Sequence, residues 1–302
     1  MMELMGNVAR GGALMLLLCP SWIEAIYMHS PPDQPPIYCT LFNHMVKAGG
    51  SSVKDRLFEE ASLDGVNYPG LCVNGPGTAQ ECLDTLHNSA VIVGYAELLR
   101  YPLKSIGREC EYFTLMRHPI DRLVSAFFYC PYDHDVQPRP DKWCGYREDP
   151  APLEARLVEF AQQGWKNKAF RQMTFGLFCP PNAFCEQTKP GAPQEVTEVG
   201  GWDLLQQIEG IMQTYTAVGI LEEWDTTMEL FNAKVKSPVR DWRTEQVSNP
   251  GRGSEVRDRL LSWAMQSPEI HRAMATDMLL YDYALAVFKQ QTSEALGKVW
   301  EY

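Results

Sequence analysis

The segment Ile37-Tyr-Cys-Thr-Leu-Phe-Asn-His44 is β-branched and aromatic, and after Met45-Val46 it runs into Lys47-Ala48-Gly49-Gly50-Ser51-Ser52. Val53 and Leu57 then repeat at helical spacing. This order predicts a buried strand, a glycine turn and a helix over 51–61, with Ser52 and Asp55 spaced as a capping box. A strand that passes through a short turn into a helix returns to its sheet by a crossover, so the unit points to parallel strand pairing.

The rest of the chain continues the alternation. Strands are predicted over 90–95 and 111–116, and Pro119 is placed to open a helix running to about residue 129. Segment 62–88, rich in Gly, Asn and Pro, reads as irregular, and 131–150 as a loop. Helical pattern occupies 152–175 and 202–213, a strand 215–221, and helices 223–235, 255–266 and 276–291. The last of these carries Leu279, Leu280, Tyr283, Ala284 and Val287 on one face. The expectation is an α/β fold, a mostly parallel sheet flanked by helices, in a single domain over 37–291. Residues 292–302 read as a C-terminal tail.

Before residue 37, an apolar run over 11–18 follows Arg10 and ends at Cys19-Pro20, with a weaker apolar stretch to Met28 broken by Glu24. The run falls short of the roughly 20 apolar residues of a membrane span. It reads as a signal-peptide core or a weak signal anchor, with Pro31, Pro32, Pro35 and Pro36 in a linker, so that 1–36 lies apart from the folded domain and leaves an N-terminal membrane anchor open.

There are nine cysteines and no Cys-x-x-Cys spacing, which suits loop staples better than zinc ligands. Cys179 with Cys185 and Cys130 with Cys144 lie close together in loop-like sequence. Cys72 with Cys82 is a third candidate pair. Cys39 and Cys110 each open a predicted strand and are placed to bridge neighbours, leaving Cys19 in the targeting segment. This usage points to an oxidising lumen.

The formal charge of −11 argues against non-specific nucleic-acid binding, which needs a net basic face. An anionic ligand must be met by local cations. Lys234, Lys236, Arg240, Arg243, Arg252, Arg257 and Arg259 gather in one stretch, interspersed with Asp241, Glu245, Glu255 and Asp258.

Two motifs carry chemistry. In His44-Met-Val-Lys47-Ala48-Gly49-Gly50-Ser51-Ser52, consecutive glycines let backbone N–H groups turn toward an anion at a helix N-terminus. Lys47 precedes the glycines, whereas a Walker A loop places its lysine directly after the last glycine, so the match to an ATP or GTP site is poor. The second motif is Tyr112-Phe-Thr-Leu-Met-Arg117-His118-Pro119-Ile-Asp-Arg122-Leu-Val-Ser125. An arginine ending a buried strand needs an anion, either a structural carboxylate or a ligand. Ligands of open α/β sheets bind beyond the carboxyl ends of strands, where Lys47 and Arg117 both fall.

Taken together, the two motifs resemble those of the 3′-phosphoadenosine 5′-phosphosulfate (PAPS)-dependent sulfotransferases, in particular the carbohydrate class that includes the heparan sulfate and uronyl 2-O-sulfotransferases. The similarity extends to Leu177-Phe-Cys179, Cys185, Tyr215-Thr-Ala-Val-Gly219-Ile-Leu-Glu-Glu223 and Leu280-Tyr-Asp-Tyr-Ala284. The resemblance implies a P-loop-like sulfotransferase domain in the Golgi lumen or membrane, with PAPS as co-substrate and a carbohydrate or other hydroxylated acceptor. By resemblance, Lys47, Ala48, Gly49, Gly50, Ser51 and Ser52 meet the 5′-phosphosulfate, and Arg117 and Ser125 the 3′-phosphate. Arg243, Thr244, Ser248 and Arg252 occupy the late polar loop that closes over the nucleotide in that family.

Two positions depart from the family pattern. His118 stands where Asp is usual, and the catalytic histidine that follows a glycine after the second strand is missing, Gly94 being followed by Tyr95-Ala-Glu97. The candidate bases are therefore Glu97, then Tyr95, with His44 as a further possibility, while Lys47 is the group to stabilise the departing phosphate. No metal is called for, since protein donors can meet the nucleotide's charge. A kinase-like P-loop enzyme and a non-catalytic lumenal glycan-binding relative are the competing classes. Acceptors other than carbohydrate, a lipid or a small alcohol, stay open.

Overall fold

The computed structural model describes residues 37–63, 70–72, 91–94, 108–128, 151–175, 201–236, 241–242 and 255–300. Five strands form one sheet: β1 (Ile37–Asn43), β2 (Gly70–Cys72), β3 (Val91–Gly94), β4 (Arg108–Met116) and β5 (Ala217–Ile220). Their order is β2-β3-β1-β4-β5 and every neighbouring pair is parallel. The expected α/β class with a parallel sheet holds. A strand not anticipated, β2, falls inside the segment read as irregular.

Helices lie between β1 and β2, between β4 and β5 and after β5: α1 (Gly50–Leu63), α2 (Pro119–Phe127), α3 (Leu153–Phe160), α4 (Lys168–Phe175), α5 (Gly201–Gln213), α6 (Trp224–Lys234), α7 (Glu255–Ala264), α8 (Pro268–Ala273) and α9 (Ala275–Leu296). Between α3 and α4 the chain widens into a π-helical turn over Ala161–Trp165. Buried Leu41, Phe42, Phe113, Leu115 and Val218 fill the centre of the sheet, as expected where both faces are covered. The main core joins these strands to α6 and α9 through Phe231, Leu280, Ala284 and Phe288. A second apolar cluster, with Ile120, Leu123, Phe127, Leu157, Phe160, Trp165 and Leu260, packs α2 against α3 and α7.

Three details correct the sequence reading. Helix α1 begins at Gly50, so Ser52 lies inside its first turn rather than at the cap, and its amide donates to the Gly49 carbonyl at 3.2 Å. Leu279 is 44% exposed; the inward side of α9 is Leu280, Tyr281, Ala284 and Phe288, because packing on β5 and α6 rotates the helix away from the sequence-derived stripe. The same helix runs to Leu296, into the segment read as a tail, and Trp300 packs against Phe288 with ring centroids 5.6 Å apart. Among the described residues no helix is long and apolar enough to cross a membrane.

Candidate anion site at the sheet switch point

From β1 the chain steps to β2 and β3 on one side of the sheet, then to β4 and β5 on the other. The reversal lies between β1 and β4, and it is beyond the carboxyl ends of strands at such a switch point that open α/β sheets bind ligands. Register places Asn43, the last residue of β1, beside Gly94 of β3 and Thr114 of β4. The loop 44–49 after β1 and the Arg117-His118 step after β4 therefore rise side by side.

The loop's shape is set by its backbone. Lys47 has φ +64° and Gly49 φ +78°, both left-handed, and such alternation turns successive amides toward one side as anion-binding concavities do. Lys47 bears a side chain in a conformation that disfavours one, and two arginines hold it there. Arg117 Nη1 donates to the Lys47 carbonyl at 3.2 Å, and Arg122 Nε donates to the Val46 carbonyl at 3.0 Å. Arg122 is buried, with its guanidinium 5.3 Å from the Trp165 ring centroid. A β-carbon on Gly49 would lie 2.7 Å from Leu221 Cδ1, and one on Gly50 would lie 2.2 Å from His44 Cδ2. Both glycines are thus required by close approach, and Ala48, just before them, is fully buried.

Around this loop the cations converge. Arg117 donates through Nε at 2.8 Å and Nη2 at 2.6 Å to Oδ2 of Asp121, one turn along in α2. Asp121 is thus the structural carboxylate that the sequence left as one alternative for Arg117. Its other oxygen, Oδ1, accepts from Arg257 Nη2 at 2.9 Å, bringing in the first turn of α7. These side chains are between 15% and 21% exposed, recessed but reachable. Lys47 feels the cluster: burial first, then the positive charges of Arg117 and Arg257, lower its pKa to about 8. Two guanidiniums thus share one carboxylate and both act on the Lys47 ammonium, next to the N-terminus of α1, which adds positive potential.

His44 lies on the other flank of the loop. Its ring stacks on Phe42 at 5.9 Å, and burial, followed by the charge of Lys54, lowers its pKa to about 4. It is a neutral imidazole at neutral pH. His118 caps the start of α2 without a side-chain cap bond; its amide donates to Glu222 Oε1 at 2.8 Å and its ring meets Tyr281 edge-on at 5.4 Å. Glu222 Oε2 also accepts from the Tyr281 hydroxyl at 3.0 Å. This carboxylate ties β5's end and α9 to the turn that presents Arg117.

Of the residues expected at the site, the structure brings together His44, Lys47, Ala48, Gly49, Gly50, Ser51, Ser52 and Arg117. Ser51 is exposed and Ser52 half-buried in the first turn of α1. Ser125 is half-buried on α2, one turn beyond Asp121 and on the same side of the helix. Tyr95, Glu97, Arg243, Thr244, Ser248 and Arg252 lie outside the described residues, as do Cys19, Cys82, Cys130, Cys144, Cys179 and Cys185. Sequence reasoning missed Asp121 and the reach of Arg257. The four-residue spacing of Arg117 and Asp121 across the start of α2 was the available signal for the first; nothing local signals the second. Among the described residues no cluster of His, Cys, Asp and Glu is placed to hold a metal ion. No protein-family model matches the chain, and no curated protein matches its sequence.

Proposed function

We propose that the chain is a PAPS-dependent sulfotransferase that transfers a sulfuryl group to a hydroxyl of a carbohydrate acceptor in the secretory pathway. The observation that carries this reading is the pairing of Arg117 and Arg257 on one carboxylate, with Lys47 under the charge of both arginines, beside a left-handed glycine loop at the sheet's switch point. An anion of higher charge than a single carboxylate suits several cations gathered in a recessed place. A ligand with separate phosphate groups suits them, and the motif resemblance selects PAPS from among such ligands.

PAPS supplies the sulfuryl group: the acceptor oxygen bonds to sulfur as the bond from sulfur to the bridging phosphate oxygen breaks, leaving 3′,5′-ADP. In this reading the loop amides and Lys47 hold the 5′ end, and the Lys47 ammonium offsets charge on the departing phosphate oxygen. Arg117, with Ser125, holds the 3′-phosphate. Glu97, in the segment just past the end of β3, takes the acceptor's proton, with Tyr95 second. His44, a neutral imidazole wedged between Phe42 and Gly50, supports the loop.

The deciding experiment incubates the purified chain with radiolabelled PAPS and a panel of glycans, lipids and small hydroxylated metabolites. Label transferred to a glycan supports the proposal. Transfer to a lipid or small alcohol alone moves the acceptor class. Thermal stabilisation by ATP with Mg²⁺ but not by 3′,5′-ADP overturns the sulfotransferase reading in favour of a kinase-like enzyme.

A further inference from the structure

The late basic stretch separates once the chain is folded. Lys236 is exposed and pairs with Glu111 at 3.2 Å, and Arg259 is exposed on α7. Arg257, two positions earlier, turns the other way and reaches Asp121 across the interface between α7 and α2. Its Nη1 also lies 3.8 Å from the exposed carboxylate of Asp258. The first turn of a helix carries positive potential, and Arg117 and Lys47 are close enough that both arginines act on the lysine. A link between the two helices needs only one arginine on Asp121, yet Asp121 carries two, one on each oxygen.

We propose that Arg257 is a third anion-binding cation of the switch-point site, contacting the same phosphate as Arg117, and that Asp121 is the positioning residue that sets the two guanidiniums side by side. A carboxylate and a phosphate present paired oxygens at similar spacing, and arginine's planar fork suits both. The arrangement held by Asp121 is thus already close to the one a phosphate needs. The assignment to the 3′-phosphate rests on the sulfotransferase reading; the assignment to an anion does not.

The test is calorimetry on the full chain with three probes: 3′,5′-ADP, adenosine 5′-phosphate and inorganic pyrophosphate. Arg257→Gln is expected to weaken 3′,5′-ADP by about 10- to 100-fold, the range for a lost charge-assisted contact, while changing adenosine 5′-phosphate by less than about threefold. Unchanged affinity for both 3′,5′-ADP and pyrophosphate overturns the inference, and leaves the sulfotransferase reading standing if Arg117→Ala still loses the nucleotide. Wild-type binding of pyrophosphate through Arg257, without binding of 3′,5′-ADP, keeps the third cation and removes the sulfotransferase reading. If Arg257→Gln does not fold, Arg257→Lys keeps the charge without the fork and is expected to lose several-fold on 3′,5′-ADP; no loss overturns the inference. Asp121→Asn is expected to shrink the penalty of Arg257→Gln, since a guanidinium no longer held in place has less affinity to give up. Strictly additive penalties overturn the positioning role of Asp121.

Discussion

The guanidinium of Arg117 donates to the backbone carbonyl of Lys47 at 3.2 Å, joining the step after β4 to the loop after β1 across 70 positions of sequence. Arg117 thus holds the left-handed Lys47, and under the proposed function it also presents charge to a ligand. Arg117→Ala is expected to lower 3′,5′-ADP affinity by about 10- to 100-fold, measured by calorimetry without metal. Arg117→Lys, a point charge in place of a fork, is expected to recover only part of that loss. Unchanged affinity in Arg117→Ala removes the 3′-phosphate assignment.

The lowered pKa of Lys47 gives the site a pH dependence. An anion prefers the protonated lysine, so nucleotide affinity is expected to fall as pH rises through about 8. Binding near that pH is expected to take up a proton, visible as an enthalpy that varies with the buffer's ionisation heat. Lys47→Arg should move the decline to higher pH. The sign for stability is opposite: from about 8 up to the ordinary lysine value of 10.5, the folded state has released a proton that the unfolded chain retains, so stability without ligand rises with pH in that window.

Gly50 and His44 are coupled by contact. Gly50→Ala puts a methyl where His44 Cδ2 lies and is expected to destabilise the fold by about 1–3 kcal/mol in denaturant titration, the usual cost of overpacking. In the double variant with His44→Ala the penalty of the added methyl should largely vanish. Additive penalties would show that the contact is not the cause. His44 also sets an acid limit: its folded pKa near 4 lies below the ordinary 6.5, so its contribution is whole above about 6.5 and declines as pH falls toward 4.

Cys110 is disulfide-bonded, and the register sets Cys39 directly beside it on the neighbouring strand. Peptide mapping without reductant is expected to recover Cys110 crosslinked to the peptide containing Cys39. Recovery of Cys110 as a free thiol, or with another cysteine, would overturn this pairing. The same map tests the pair Cys179 and Cys185.

Glu97→Gln is expected to preserve 3′,5′-ADP binding while lowering turnover by roughly 10²–10⁴-fold, the usual span for a general base. Tyr95→Phe, removing a phenol with an ordinary pKa near 10, is expected to lower it less. Full turnover in Glu97→Gln with the true acceptor would place the base elsewhere, and His44 would be the next residue to change.

Much of the site was legible because its signals are local. The β-branched run ending at Asn43, the glycines that follow, and Pro119 opening a helix just after Arg117 each follow from backbone propensity over a few residues. They suffice to put Lys47 and Arg117 beyond strand ends in a parallel sheet. What no local pattern encodes is which strands are neighbours and which side chains meet across helices. The order β2-β3-β1-β4-β5 brings the Lys47 loop against Arg117, and the docking of α7 on α2 brings Arg257 to Asp121, 136 positions away. The same rule explains the smaller misses: β2 is too short for a periodic signal, and Leu279 lies outside the core because the fit of α9 on β5 and α6, rather than its own apolar stripe, sets the helix's rotation. The sequence thus determined most of the elements and the residue types at their ends, while tertiary packing decided which charges share a carboxylate, because the free energy of desolvated ionic groups depends on neighbours that only the folded chain supplies.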